Sequence, residues 1–259
     1  MKRSDLICEN GVINDKKSKK IVHKFNLHRT LCEEIIVDKK LSEATGKSEG
    51  RYVTIYCDTG DYSKCFSEII SDFIVGGSVL VAGLGNERVC SDSLGAKSLR
   101  YIPATAHLSA IQAFDELKLR QVFVIETSVT GKTGIESAEQ IKCIAEKADV
   151  DFIIVIDSLS CSDTERLCRT IQITDTGIAP GAGVGNSRKE LNRSATGKKV
   201  IAVGVPTVID YEDGSGTLMV TPRNIDVLID EYSKVIGYGI SKALNPSLSI
   251  DEINALIIR

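Results

Sequence analysis

Residues 151–157 read DFIIVID, five apolar side chains in succession between two aspartates. The run is too short for a helix and lacks the alternation of a strand with one wet face, so it predicts a strand buried on both sides. Similar short runs stand at 78–82 (SVLVA), 121–126 (QVFVIE) and 199–205 (KVIAVGV), while 52–57 (YVTIYC) carries the β-branched and aromatic residues of a strand. Between them, 64–74, 106–117 and 136–148 have helical spacing; in the last, Ile141, Ile144 and Ala145 share a face. Segments 223–240 and 250–258 read as closing helices. Strand and helix in alternation predict an α/β fold, a mostly parallel sheet with helices on both faces.

Composition fits one large core. The chain has 259 residues, 42% of them hydrophobic and 26% charged, which argues against disorder. Its formal net charge of −3 speaks against a broad cationic surface for nucleic acid, and no direct nucleic-acid partner is expected. No apolar run approaches the roughly 20 residues of a membrane-spanning helix, and no signal-peptide core stands at the start, so a cytoplasmic protein without membrane contact is expected. Residues 1–50 are polar, with a basic run at Lys16, Lys17, Lys19 and Lys20, and read as an N-terminal segment packing on or flanking the core. Residues 51–259 read as a single α/β catalytic domain. The eight cysteines form no CxxC pair and the three histidines are scattered, so no structural metal and no cofactor is expected.

In sheets of this type, ligands sit beyond the carboxyl ends of the strands. The loops after 82, 126, 157 and 205 should therefore share one edge. The first holds GLGN at 83–86 and DSLG at 92–95. It lacks the third glycine of a dinucleotide fingerprint, and no P-loop is present. Asp92 reads either as a helix N-cap or as a functional acid. Asp157 ends an apolar strand, where an unpartnered carboxylate is costly, and reads as a catalytic acid or as a cap or loop anchor. Two such carboxylates sharing a proton could activate a water, provided that their strands are neighbours. The stretch 171–186, IQITDTGIAPGAGVGN, reads as a long glycine-rich loop. Its amides could bind an oxyanion or a peptide carbonyl, or Asp175 could cap a purely structural loop. A divalent ion held by carboxylates and His107 is the nearest chemical rival.

Taken together, GLGN…DSLG at 83–95, TGKTGIES at 130–137, DFIIVIDSLS at 151–160, the loop at 171–191 and VIAVGVPTVID at 200–210 resemble the germination proteases of endospore-forming bacteria. The resemblance covers roughly residues 78–210, and more faintly Arg3, Ser4, Asp5 and Leu6. It implies a three-layer α/β sandwich like that of the hydrogenase-maturation proteases, and an atypical aspartic endopeptidase of the spore core. Its implied substrates are small acid-soluble spore proteins, degraded at germination. It puts the catalytic pair on Asp92 and Asp157, with Gly85, Asn86, Asp175, Gly183 and Asn186 as candidate oxyanion or substrate-loop residues and no metal. It also implies a homo-oligomer, possibly a tetramer. Arg3 follows only two residues, so removal of a propeptide is not expected as the control. The alternative is an inactive or regulatory homologue that binds spore proteins or a partner protease.

Overall fold

The computed structural model describes residues 4–14, 21–74, 76–181, 189–212 and 217–257. Within them run nine strands: β1 (Val22–Leu27), β2 (Thr30–Val37), β3 (Gly50–Tyr56), β4 (Val79–Gly83), β5 (Val122–Glu126), β6 (Phe152–Cys161), β7 (Thr170–Thr174), β8 (Lys199–Glu212) and β9 (Thr217–Val220). The helices are α1 (Gly11–Asn14), α2 (Lys39–Thr45), α3 (Tyr62–Phe73), α4 (Leu94–Leu99), α5 (Gln112–Glu116), α6 (Thr130–Thr133), α7 (Ser137–Lys147), α8 (Arg193–Thr196), α9 (Ile225–Leu244) and α10 (Ile250–Leu256).

All strands belong to one sheet in the order β1-β2-β3-β7-β8-β6-β4-β5, with β9 added beside β8. Its core is parallel, as expected: β5, β4, β6 and β8 run the same way, with Val81 paired to Val124 on one side and Ile154 on the other. Alternate residues of these strands feed two hydrophobic layers. Val79, Val81, Phe152, Ile154, Ile156, Ile201 and Val203 face α3, α4 and α9, through Phe66, Ile70, Leu94, Ile236 and Ile240. Leu80, Ala82, Ile153, Val155, Val200 and Ala202 face α7, through Ala138, Ile141 and Ala145. Helices thus cover both faces and complete three layers.

Of the other half of the sheet the sequence reading catches only the strand at 52–57, which is β3. Residues 22–37 are not an unsettled polar segment; they form an antiparallel hairpin that extends the sheet through β3 to β7. Its polar residues are satisfied across the ladder. Lys24 stands opposite Glu33, their charged atoms 2.6 Å apart, and Arg51 Nε donates to Glu34 at 2.6 Å. Residues 170–174 are likewise no loop: TIQIT is a strand buried at every position between β3 and β8. The expected helix at 106–117 is broken into a 3-10 turn at Ala106–Leu108 and the short α5. The basic run at 16, 17, 19 and 20 lies outside the described residues. At the amino ends of the parallel strands, Leu248 and Ile253 of the C-terminal helix region pack with Phe114 and Leu119, just ahead of β5.

Candidate active site

β4 and β6 are parallel neighbours, the condition that convergence of Asp92 and Asp157 required. The ladder closes with Leu84 N–H donating to Ile156 O at 2.9 Å, one residue before Asp157. Just beyond, α4 turns back across these strand ends. That approach depends on Gly95: a Cβ there would sit 2.4 Å from Leu84 O and 2.6 Å from Ile156 O. The residues immediately before α4 are thereby laid over the carboxyl end of β6, and Asp92 is among them.

Asp92 is not a helix cap. Ser93 occupies that position, and Asp92 ends a 3-10 turn at Cys90–Asp92. Its Oδ2 accepts the Asn86 N–H at 2.8 Å, and its carbonyl takes the same N–H at 3.0 Å. Thr207 of β8 donates its hydroxyl to Ser91 O at 2.7 Å, tying the turn to the sheet. Gly85 makes this loop possible. Its φ is +100°, and a Cβ would lie 2.1 Å from Asp92 O. Asp157 is 5% exposed, and its Oδ1 accepts the Ser158 N–H at 2.9 Å.

Both aspartates line one cavity of about 200 Å³, together with Gly85, Val89, Thr207, Gly181 and Met219. Ser158 and Ser160 also line it, and their hydroxyl oxygens are buried without a hydrogen-bond partner among the described residues. Unpaired buried hydroxyls are uncommon and mark a place where a ligand or water completes the bonding. A third carboxylate, Asp5, stands on the same wall. The sequence signals for these additions were slight: the Ser-Leu-Ser step after Asp157, and the faint match around Asp5.

The remaining candidates divide. Gly85 is at the cavity. The Asn86 N–H is engaged by the carboxylate and the carbonyl of Asp92. Asp175 is not brought to the cavity; its Oδ1 accepts the Arg51 N–H at 2.8 Å, with Gly50 packed against it, so it anchors the start of β3. The glycine loop reaches the cavity through Pro180 and Gly181, whereas Gly183 and Asn186 lie outside the described residues. His107 is exposed in the 3-10 turn ahead of α5 and does not line the cavity. Among the described residues, no group of three or more His, Cys, Asp or Glu side chains is placed to hold a metal ion, and no helix is long and apolar enough to cross a membrane.

A mixed sheet with a parallel core covered on both faces, and acids gathered where β4 stops beside β6, defines the class: an α/β protein laid out as an enzyme. The germination protease family model matches residues 9–213. Germination proteases of Clostridium tetani and Bacillus cereus are 34% and 38% identical to this chain; the first match spans 88% of both chains, the second 81% of this chain and 60% of its relative. The chain belongs to the germination protease family. Among solved structures, the [NiFe] hydrogenase maturation protease HycI from Thermococcus kodakarensis KOD1 matches with a TM-score of 0.41 and 17% identity, over 68% of this chain and 98% of that one. Family membership makes peptide-bond hydrolysis the activity to be accounted for.

Proposed function

We propose that this protein is an endopeptidase of the spore core that degrades small acid-soluble spore proteins at germination, using Asp92 and Asp157 to activate a water. The observation that carries this reading is that two carboxylates from separate segments line one small cavity at the carboxyl edge of the sheet. One aspartate, ionised, takes a proton from water as it attacks the peptide carbonyl; the other, protonated at the start, gives its proton to the departing amine. The roles belong to the pair, because coupled acids titrate together. The developing oxyanion needs donors, and the free hydroxyls of Ser158 and Ser160 supply them in place of the Asn86 amide. A homo-oligomer, a tetramer, is part of this proposal and is read by sedimentation.

A cavity of this size admits an extended backbone and not a helix, so the free, unfolded form of a spore protein is the expected substrate. The test is incubation with purified small acid-soluble spore proteins, with and without saturating DNA, and fragment mapping by mass spectrometry. Defined internal cuts, slowed by DNA and lost in Asp92→Asn and Asp157→Asn, are expected. Intact substrate that co-purifies with the protein would sink the reading and favour a binding homologue.

A further inference from the structure

The N-terminal residues 4–9 form a strap against the last residues of β6 and the middle of β7. β4 ends at Gly83, opposite Ile156, so among the described residues no strand flanks that edge of β6 beyond it. The strap takes over there. Asp5 N–H donates to Ser160 O at 3.0 Å, and Asp5 Oδ2 accepts the Ser160 N–H at 2.7 Å, a two-way clamp on one residue. The clamp falls where the β6–β8 register shifts, between Leu159 and Ser160. The strap has its own anchors besides. Ile7 N–H donates to Gln172 Oε1 at 3.1 Å, Glu9 accepts from Ser162 N–H at 2.6 Å and its hydroxyl at 2.7 Å, and Leu6 and Ile7 are fully buried.

The clamp brings an acid to Ser160, three residues past Asp157 along β6, and that acid lines the cavity of the aspartate pair. We propose that Asp5 is a positioning residue of the candidate catalytic cavity, fixing the end of β6 just past Asp157 and setting a third negative charge beside the Asp92–Asp157 pair. This rests on the reading that the pair does the chemistry. Two consequences separate. As a clamp, Asp5 holds the Ser158–Ser160 backbone at its irregularity, and with it the Ser158 N–H that binds Asp157. As a charge, it disfavours full ionisation of the neighbouring acids. The other charged groups facing it are Lys47, whose Nζ donates to the Asp5 carbonyl at 2.9 Å, and Glu190, across a second cavity of about 290 Å³ that both line with Asp5. Burial holds the Lys47 ammonium below the ordinary lysine range, with Asp5 pulling the other way.

Asp5→Asn keeps an acceptor for Ser160 and removes the charge; Asp5→Ala removes both. Cleavage of a purified small acid-soluble spore protein is measured across pH for both, beside the parent and Asp157→Asn. For Asp5→Asn, KM should hold while the pH–kcat profile moves to the acid side by roughly half to one pH unit. For Asp5→Ala, kcat should fall about 10- to 100-fold with little change in KM, the signature of mispositioned groups. If Asp5→Ala does not unfold cooperatively, Asp5→Asn alone decides. A superimposable Asp5→Asn profile overturns the electrostatic role, and parent kcat in folded Asp5→Ala overturns the clamp. Full activity in Asp157→Asn overturns the underlying reading instead; an inactive Asp157→Asn beside parent-like Asp5 variants overturns this inference alone.

Discussion

Strands β4, β6 and β8 and strands β1, β2 and β3 belong to one sheet but meet the cost of burying a backbone differently. The parallel strands put apolar side chains on both faces, and β4 is buried at all five positions. Asp157 does not end its strand, contrary to the sequence reading; β6 runs on to Cys161 beside β8, and Asp157 and its serines stand in the part of β6 that β4 no longer flanks. In the antiparallel flank β1 is half-buried at best, and charged pairs stand on both sides: Lys24 with the buried Glu33, on the face of Ile35, and Arg51 with Glu34 on the other. Its inner side, through Ile35, Val37 and Tyr52, grips Leu6, Ile7 and Cys8 of the strap. One half of the sheet carries the acid-lined cavity, and both halves hold the segment that borders it.

If this division is right, substitutions in the two halves should separate activity from stability. The largest effect belongs to the strand ends: Asp157→Asn or Asp92→Asn should lower kcat by at least about 1000-fold, close to 4 kcal/mol, with the unfolding midpoint almost unmoved. In the flank, Ile55→Ala empties a fully buried position of β3 and should cost about 2–5 kcal/mol of stability by denaturant titration. Its activity per folded molecule should match the parent; a loss in kcat there would dissolve the division. Gly85→Ala tests the seam between loop and acid. Its left-handed backbone and the contact with Asp92 predict about 1–3 kcal/mol of destabilisation, together with a measurable loss of kcat because Asp92 must shift.

The smallest effect is chemical. All eight cysteines carry free thiols; Cys143 is exposed, Cys57 and Cys90 are half-buried, and the rest are buried. Burial pushes Cys8 up to about 11 and Cys161 up to about 12, so at pH 8 both remain neutral thiols and poor nucleophiles. Intact-mass labelling with iodoacetamide at that pH should modify Cys143 first and leave Cys8 and Cys161 untouched. Equally fast labelling of Cys8 would mean that the strap opens readily from the flank.

How far the sequence could be read follows from the same contrast. Strands buried on both faces appear as uninterrupted apolar runs, and DFIIVID ended on the acid that the structure delivers to the cavity. β1 and β2 were illegible because their charges are paired with residues on the adjacent strand, a relation that no local pattern records. TIQIT of β7 was hidden by the glycines that follow it. At the site, the tight turn at Gly85 was legible from its glycines, whereas Asp92 was singled out by the family resemblance and its reading as a helix cap fails. The tasks of Asn86 and Asp175 were not legible, because they depend on which backbone amide each side chain or N–H meets across the fold. Asp5 lies 152 positions before Asp157 in the chain, and only the pairing with Ser160 brings it to the rim.

The strap also bears on how the protein is best handled. A bulky group carried at Ser4 would stand next to Asp5, which lines the acidic cavity. The last helix packs beside the start of β5, at the opposite margin of the sheet. Labelling on the last helix therefore stays clear of that cavity, and a difference in turnover between labels at the two places would measure how near the strap comes to the work.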